Sequence, residues 1–457
     1  MTDICLSAPR QPAPDFDGYL QPNDVRSDAF EQRQALMPMW GMSRVEAQAW
    51  PQIWQQLQAA PLTGQTLAYV HIPFCASRCY FCGFYRNLWR EERGAPYVER
   101  LISEMAQEAG QRPPGGEVSA LYLGGGTPTA LSAAQLGQVL AAARQALPLA
   151  ADCEITIEGR ISHFDQDKWQ ACLQAGVNRF SIGVQSFDGQ LRTRLGRKHS
   201  GEQAAAYLRQ MREATDAVIV ADLLFGLPGQ DDAMWANDIE VALSLGLSGL
   251  DIYAFNCYPD LPVARMIETG RLPALPELAL QARQYAYACR RLQAAGWLQL
   301  SNSHFARPDG GERNRYNRAI KSGHDCLAYG SGAGGCRAGY SYMVEPDLAR
   351  YQASAPDQKP LGMLAGVSPF KQSFGQLQGA LEDGHLPLAL LRQHAPALQR
   401  VEQWQQQGLL DSGNDIAHLT IAGRFWAPML IRQLAMMIAN PTEKVCPQSH
   451  PVTITHR

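Results

Sequence analysis

The chain has 457 residues, a formal net charge of -3, and 46% hydrophobic against 18% charged residues. That length exceeds what one core usually holds, so one large domain with appendages, or two domains, is expected. The near-neutral charge offers no field for nucleic acid, no apolar run reaches membrane-spanning length, and residues 1–10 lack a secretory pattern, which together point to the cytoplasm.

In chain order, residues 1–66 form an N-terminal extension containing Pro, Gln and Trp. Its tryptophans Trp40, Trp50 and Trp54 are expected to pack against the following domain. From Leu67 to Phe255 apolar strand-like runs alternate with helix-like stretches, the pattern of a parallel sheet with crossover helices. Strands are expected at Leu67–Ile72, Val118–Leu123, Glu154–Glu158, Arg179–Val184, Ala217–Leu224 and Leu250–Phe255. Helices are expected at Tyr97–Ala109, Ala133–Ala146, Asp165–Ala175 and Asp232–Leu245. Six such units make an open α/β barrel, a partial (β/α)6 arrangement, because closure takes about eight.

Cys75, Cys79 and Cys82, spaced Cys-x3-Cys-x2-Cys, directly follow the first strand. A four-iron cube held by three thiolates keeps one iron open to a small molecule, as catalysis requires. The alternatives are a zinc site closed by His71, which lies inside the strand-like run, or three buried thiols. The other eight cysteines of the eleven show no ligand spacing and read as reduced, buried thiols.

The remaining unusual residues fall at the same ends of the other strands. Gly124-Gly125-Gly126-Thr127-Pro128-Thr129 follows the second, Glu158 ends the third, Gln185 and Ser186 follow the fourth, and Asp222 lies near the end of the fifth. Each alone has a plain structural explanation as a tight turn, cap or solvated group. Together on one rim, the glycines admit a ligand closely, and Glu158, Gln185 and Asp222 offer acceptors for an ammonium or ribose hydroxyls.

These motifs, with His71-Ile72-Pro73-Phe74-Cys75, Ser181–Phe187, Asp222–Gly229 and Tyr329–Gly334, resemble radical S-adenosylmethionine (SAM) enzymes of the oxygen-independent coproporphyrinogen oxidase-like branch. The resemblance spans roughly Leu67 to Tyr340. It implies a [4Fe-4S] cluster on Cys75, Cys79 and Cys82, with the open iron taking the amino and carboxylate groups of SAM. It also implies SAM contacts from Tyr69, Phe81, Gly125, Gly126, Thr127, Glu158, Gln185, Arg197 and Asp222.

Coproporphyrinogen dehydrogenases carry a further cysteine where this chain has Phe84, which lowers that reading. The haem chaperones of the branch and its haem-utilisation methyltransferases, the anaerobilin synthases, lack it. Similarity to the latter extends to the N-terminal Phe30, Met37, Pro38, Met39 and Trp40 and to Leu419–Trp426. For that group the resemblance implies one or two SAM molecules, haem as substrate, methylation and opening of the ring, and a low-potential donor such as flavodoxin. A monomer without nucleic-acid or membrane partners is expected.

The domains are then 1–66, a core over 67–344, a mostly helical C-terminal domain over 345–440, and a tail over 441–457. Arg313, Arg315, Arg318 and Lys321 in the stretch Arg307–Lys321 read first as a solvated loop, with haem propionates as the functional alternative, and His304 and His324 read first as hydrogen-bonded structural residues, with haem iron as the alternative. Glu345 to Gln378 reads as irregular. Phe425 and Trp426, in a Gly-Arg-Phe-Trp turn, read as core anchors in preference to a lid.

Overall fold

Val70, Ile72, Leu121, Leu123, Ile157, Phe180 and Ile182 are all buried, as expected of parallel strands covered on both faces. The computed structural model describes residues 16–34, 42–62, 64–366 and 370–438. Cys5, Met37, Pro38, Met39, Trp40, Cys446 and the tail over 441–457 lie outside the described residues. The six expected strands are β1 (Gln65–Ile72), β2 (Glu117–Gly125), β3 (Leu149–Gly159), β4 (Arg179–Gln185), β5 (Val218–Phe225) and β6 (Gly249–Ala254). They pair in parallel in sequence order.

Six further strands extend the sheet, which the apolar pattern did not announce because they are short. They are β7 (Leu298–Gln299), β8 (His304–Ala306), β9 (Cys326–Tyr329), β10 (Gly334–Arg337), β11 (Tyr340–Val344) and β12 (Leu361–Ala365). The order is β12-β11-β10-β9-β1-β2-β3-β4-β5-β6-β8-β7, so the barrel stays open. β9 adds a seventh parallel strand beside β1, whereas β8 runs antiparallel to β6.

Crossover helices Glu91–Gln111, Ala133–Ala146, Gln166–Gln174, Gly201–Ala214 and Asp232–Ser244 cover the outside. Their starts are set locally: Ser132 and Ser200 form capping boxes, and Asp165 and Asp231 accept backbone N–H groups. Helix Arg315–Lys321 sits differently. Glu154 accepts the N–H groups of Arg315 and Tyr316 at its start, and Ala319 packs among Leu67, Ala120 and Cys326 of the strands.

The segment expected to be irregular contains helix Leu348–Ala353 and the sheet strand β12. The helical C-terminal part therefore begins later than Glu345, at helix Lys371–Asp383, followed by helices Ala395–Gln406 and Ile421–Ile438. A short antiparallel pair, His385–Pro387 with Ile416–His418, joins them. Phe425 and Trp426 lie within the last helix and not in a turn, and both are core anchors at 2% and 0% exposure. Trp54 stands edge-on to Tyr342 and Phe30 packs on Trp426, so the N-terminal aromatics serve packing. Among the described residues no helix is long and apolar enough to cross a membrane.

Candidate active site

The three-cysteine loop is pinned where β1 ends. Phe74 packs edge-on to Trp89 and Tyr97, and Trp89 N–H donates to the Cys75 carbonyl at 2.9 Å. Gly126 N–H donates to the Ile72 carbonyl at 2.9 Å, which brings the glycine run beside the loop. A Cβ on Gly126 would meet the Phe74 carbonyl at 2.6 Å and Cys75 Sγ at 3.1 Å, so only glycine fits there. Thr127 Oγ1 donates to Cys75 Sγ at 3.6 Å, and Phe84 N–H to Cys82 Sγ at 3.4 Å.

Across the rim, strand register assembles the polar residues. Glu158 pairs with Ser181, Gly183 with Asp222, and Asp222 with Asp251. Tyr122 O–H and Gly125 N–H hold the two Glu158 oxygens at 2.9 and 3.2 Å. Burial pushes the Glu158 carboxyl up despite these donors. Ser181 Oγ donates to Asp222 at 3.1 Å, yet burial, with Asp251 and Glu158 nearby, pushes the Asp222 carboxyl up to about 7. Gln185 takes a left-handed φ of 71°, and its side-chain oxygen accepts from Arg197, whose guanidinium lies 5.4 Å from the Phe81 ring centre.

One cavity of about 870 Å³ is lined by Cys75, Cys79, Cys82, Phe81, Gly125, Gly126, Thr127, Glu158, Gln185, Arg197 and Asp222. That is near the upper end of ligand pockets, roughly 300–1,000 Å³. Tyr69 does not reach the lining. Its hydroxyl bonds to His71 Nδ1 at 3.0 Å and its ring stacks on Tyr122, behind Glu158. His71 is likewise turned away, and burial lowers its imidazole to about 4.

Among the described residues no three His, Cys, Asp or Glu side chains converge on one metal-ion position, and His71 Nδ1 is engaged by the Tyr69 hydroxyl. A cube instead places each thiolate on its own iron. Sequence reasoning passed over Arg160, although a charge two residues beyond Glu158 was a usable signal. Arg160 and Arg197 line the cavity beside the thiols, each with a buried Nε lacking a partner, and neither forms an ion pair among the described residues. Burial lowers Arg197 to about 10, a cost that an anionic group at the thiols would offset. The residues present thus fit an anionic iron–sulfur cluster.

The outer haem candidates are redistributed. His304 is fully buried, with Nδ1 2.9 Å from Asp251 and Nε2 3.3 Å from Glu312, so neither nitrogen is free for iron. Arg313 and Arg315 pair with Asp152 and Arg318 with Asp383. These arginines and His324 line a separate cleft of about 540 Å³ with Gln65, at the start of β1 and the opposite end from the cysteines. Only Lys321 among that stretch's cations lines the main cavity. The Tyr329–Gly334 motif is structural, with Gly330 packed against the His71 carbonyl and Tyr97 behind β1.

The model of the radical SAM superfamily matches residues 69–242. An anaerobilin synthase from Escherichia coli O157:H7 is 42% identical over 419 residues, covering 90% of this chain and 93% of that protein. A haem chaperone from Bacillus subtilis is 27% identical and covers 78% and 96%. In three dimensions the fold matches coproporphyrinogen III oxidase from Escherichia coli, described as a radical SAM enzyme, with a TM-score of 0.75 at 24% identity over 91% of this chain and 99% of that one. Radical SAM enzymes use a [4Fe-4S] cluster and SAM, and the thiol loop and polar rim accord with both. The chain belongs to the anaerobilin synthase family, in the coproporphyrinogen oxidase-like branch of the radical SAM superfamily.

Proposed function

We propose that the protein degrades haem without oxygen, methylating the macrocycle and opening it to a linear tetrapyrrole, anaerobilin, with release of iron. The observation that carries this reading is the 42% identity to an anaerobilin synthase, which spans 90% of the chain and so runs beyond the barrel into the terminal segments. Bound at the thiol loop, a reduced cluster and SAM would supply radical chemistry, and a second SAM would supply the methyl group.

In this proposal Cys75, Cys79 and Cys82 are the cluster ligands. Gly125, Gly126 and Thr127 line the approach of SAM to the loop, and glycine at 126 lets their run pack directly on Phe74 and Cys75. Glu158, Gln185 and Asp222 fix its polar groups from three adjacent strands, and Arg197 and Phe81 close the same side. Tyr69 acts as a positioning residue, stacked on the Tyr122 that holds Glu158. Holding SAM in one pose is the main task of such a site, since orientation decides where its chemistry would act. A low-potential donor such as flavodoxin reduces the cluster, and the enzyme works as a cytoplasmic monomer.

Anaerobic incubation of the reconstituted, reduced protein with haem and SAM tests this reading. Loss of the Soret band with free iron and SAM turnover is expected. A stable band without SAM turnover would instead support the alternative, a haem-binding chaperone, and conversion of coproporphyrinogen III would support a dehydrogenase despite Phe84.

A further inference from the structure

Away from the thiol loop, the cavity lining passes to side chains far apart in sequence. Arg33 comes from the N-terminal extension, Lys321 ends helix Arg315–Lys321, and Arg424 belongs to helix Ile421–Ile438. They form one patch. The Arg33 guanidinium lies 5.3 Å from the Phe425 ring centre, Arg424 reaches Asn302 Oδ1 at 3.3 Å, and Lys321 meets Glu382 at 3.0 Å.

The charges in this patch do not balance. Among the described residues Glu382 is the one carboxylate that lines the patch, and it is paired with Lys321. Arg33 donates Nε to the Phe425 carbonyl at 2.9 Å, and Arg424 otherwise donates to the Asp383 carbonyl at 3.3 Å. Neither arginine forms an ion pair among the described residues. Guanidiniums set into a cavity wall without an anion are poorly compensated, and their paired N–H donors match carboxylates. Two arginines remain for two carboxylates.

We propose that Arg33 and Arg424, flanked by Lys321, bind the two propionate carboxylates of haem and so decide which edge of the macrocycle faces the thiol loop. The inference rests on the haem-opening reading and names its orienting groups. A flat tetrapyrrole is nearly fourfold symmetric, and an apolar slot alone would accept it in several rotations. The propionates sit on one edge only. Anchoring them removes that degeneracy and selects one bridge for attack, as remote binding groups fix a reacting centre.

The test uses the full-length, anaerobically reconstituted protein with haem and haem dimethyl ester, whose propionates are uncharged. Soret titration should show the ester bound about ten- to a hundredfold more weakly than haem, the scale of a charge-assisted hydrogen bond. Arg33→Gln and Arg424→Gln should each weaken haem by a similar factor and discriminate less between the two ligands. Turnover of the ester should yield mixed open-ring isomers where haem yields one.

Equal affinity of the unaltered protein for both ligands, with haem still consumed, overturns the propionate site and leaves haem opening standing. This arm needs no variant, so misfolding of Arg424→Gln cannot blur it. A protein that neither binds nor consumes haem overturns the functional reading and this inference together.

Discussion

Cys75 and Cys79 are buried and Cys82 half-buried, and burial pushes the Cys75 and Cys82 thiols above their ordinary value. Such thiols give up their protons when a cation takes their place. Replacing any one of the three with Ala should abolish the reduced-cluster paramagnetic signal and SAM cleavage together; an intact signal in one variant contradicts the three-ligand assignment. Asp222 makes a different demand. Its carboxyl is raised to about 7, so the ionised form becomes available only as pH rises through neutrality. SAM should therefore bind more tightly above pH 7 than below it. Asp222→Asn should flatten that dependence and weaken binding about tenfold or more without loss of iron, measured by equilibrium dialysis and iron assay.

At the scale of elements, β5, β6 and β8 align Asp222, Asp251 and His304 as successive register partners, and Glu312 bridges His304 to Arg179. Burial pulls the His304 imidazole down, but Asp251 and Glu312 outweigh it and hold it at about 9, above an ordinary 6.5. Burial pushes Glu312 up, but Arg179 and His304 hold it at about 2, below an ordinary 4.5. The signs define a window. The His304 contribution is complete below pH 6.5 and lost as pH rises through 9; the Glu312 contribution is complete above pH 4.5 and lost as pH falls through 2. The His304 part amounts to something on the order of 3 kcal/mol. Urea unfolding of the apoprotein should show stability falling between pH 6.5 and 9, and His304→Gln should remove that limb. An unchanged slope in the variant would assign the loss to another group.

For the whole molecule, the terminal segments and the barrel share one core. Phe425 packs on Phe225 of β5 and on Tyr285, while Trp426 Nε1–H donates to the Arg26 carbonyl. Phe425→Ala should cost roughly 3–5 kcal/mol in global stability. It should also weaken haem binding, because Arg33 rests on that ring and Arg424 is its neighbour in the chain. A stability loss confined to the C-terminal helices, with barrel amide protection unchanged, would show that the two parts unfold separately.

The sequence by itself determined the six parallel strands and the elements at their ends, because apolar runs, capping residues and punctuating glycines act locally. It also located the cysteine loop, whose three thiols lie within eight residues. Tertiary structure decided which candidates meet. Tyr69 and His71 sit on β1 close to Cys75 in sequence yet turn from the cavity. Arg313, Arg315 and Arg318, which read as a basic patch, are neutralised by Asp152 and Asp383 at the other barrel end. Arg33 and Arg424 carry no shared motif and come together because the segment holding Arg33 packs on Phe425 of the last helix. Local pattern records a residue's neighbours along the chain. Whether a charge is answered by an opposite charge depends on contacts made by distant segments, and those exist only in the folded protein.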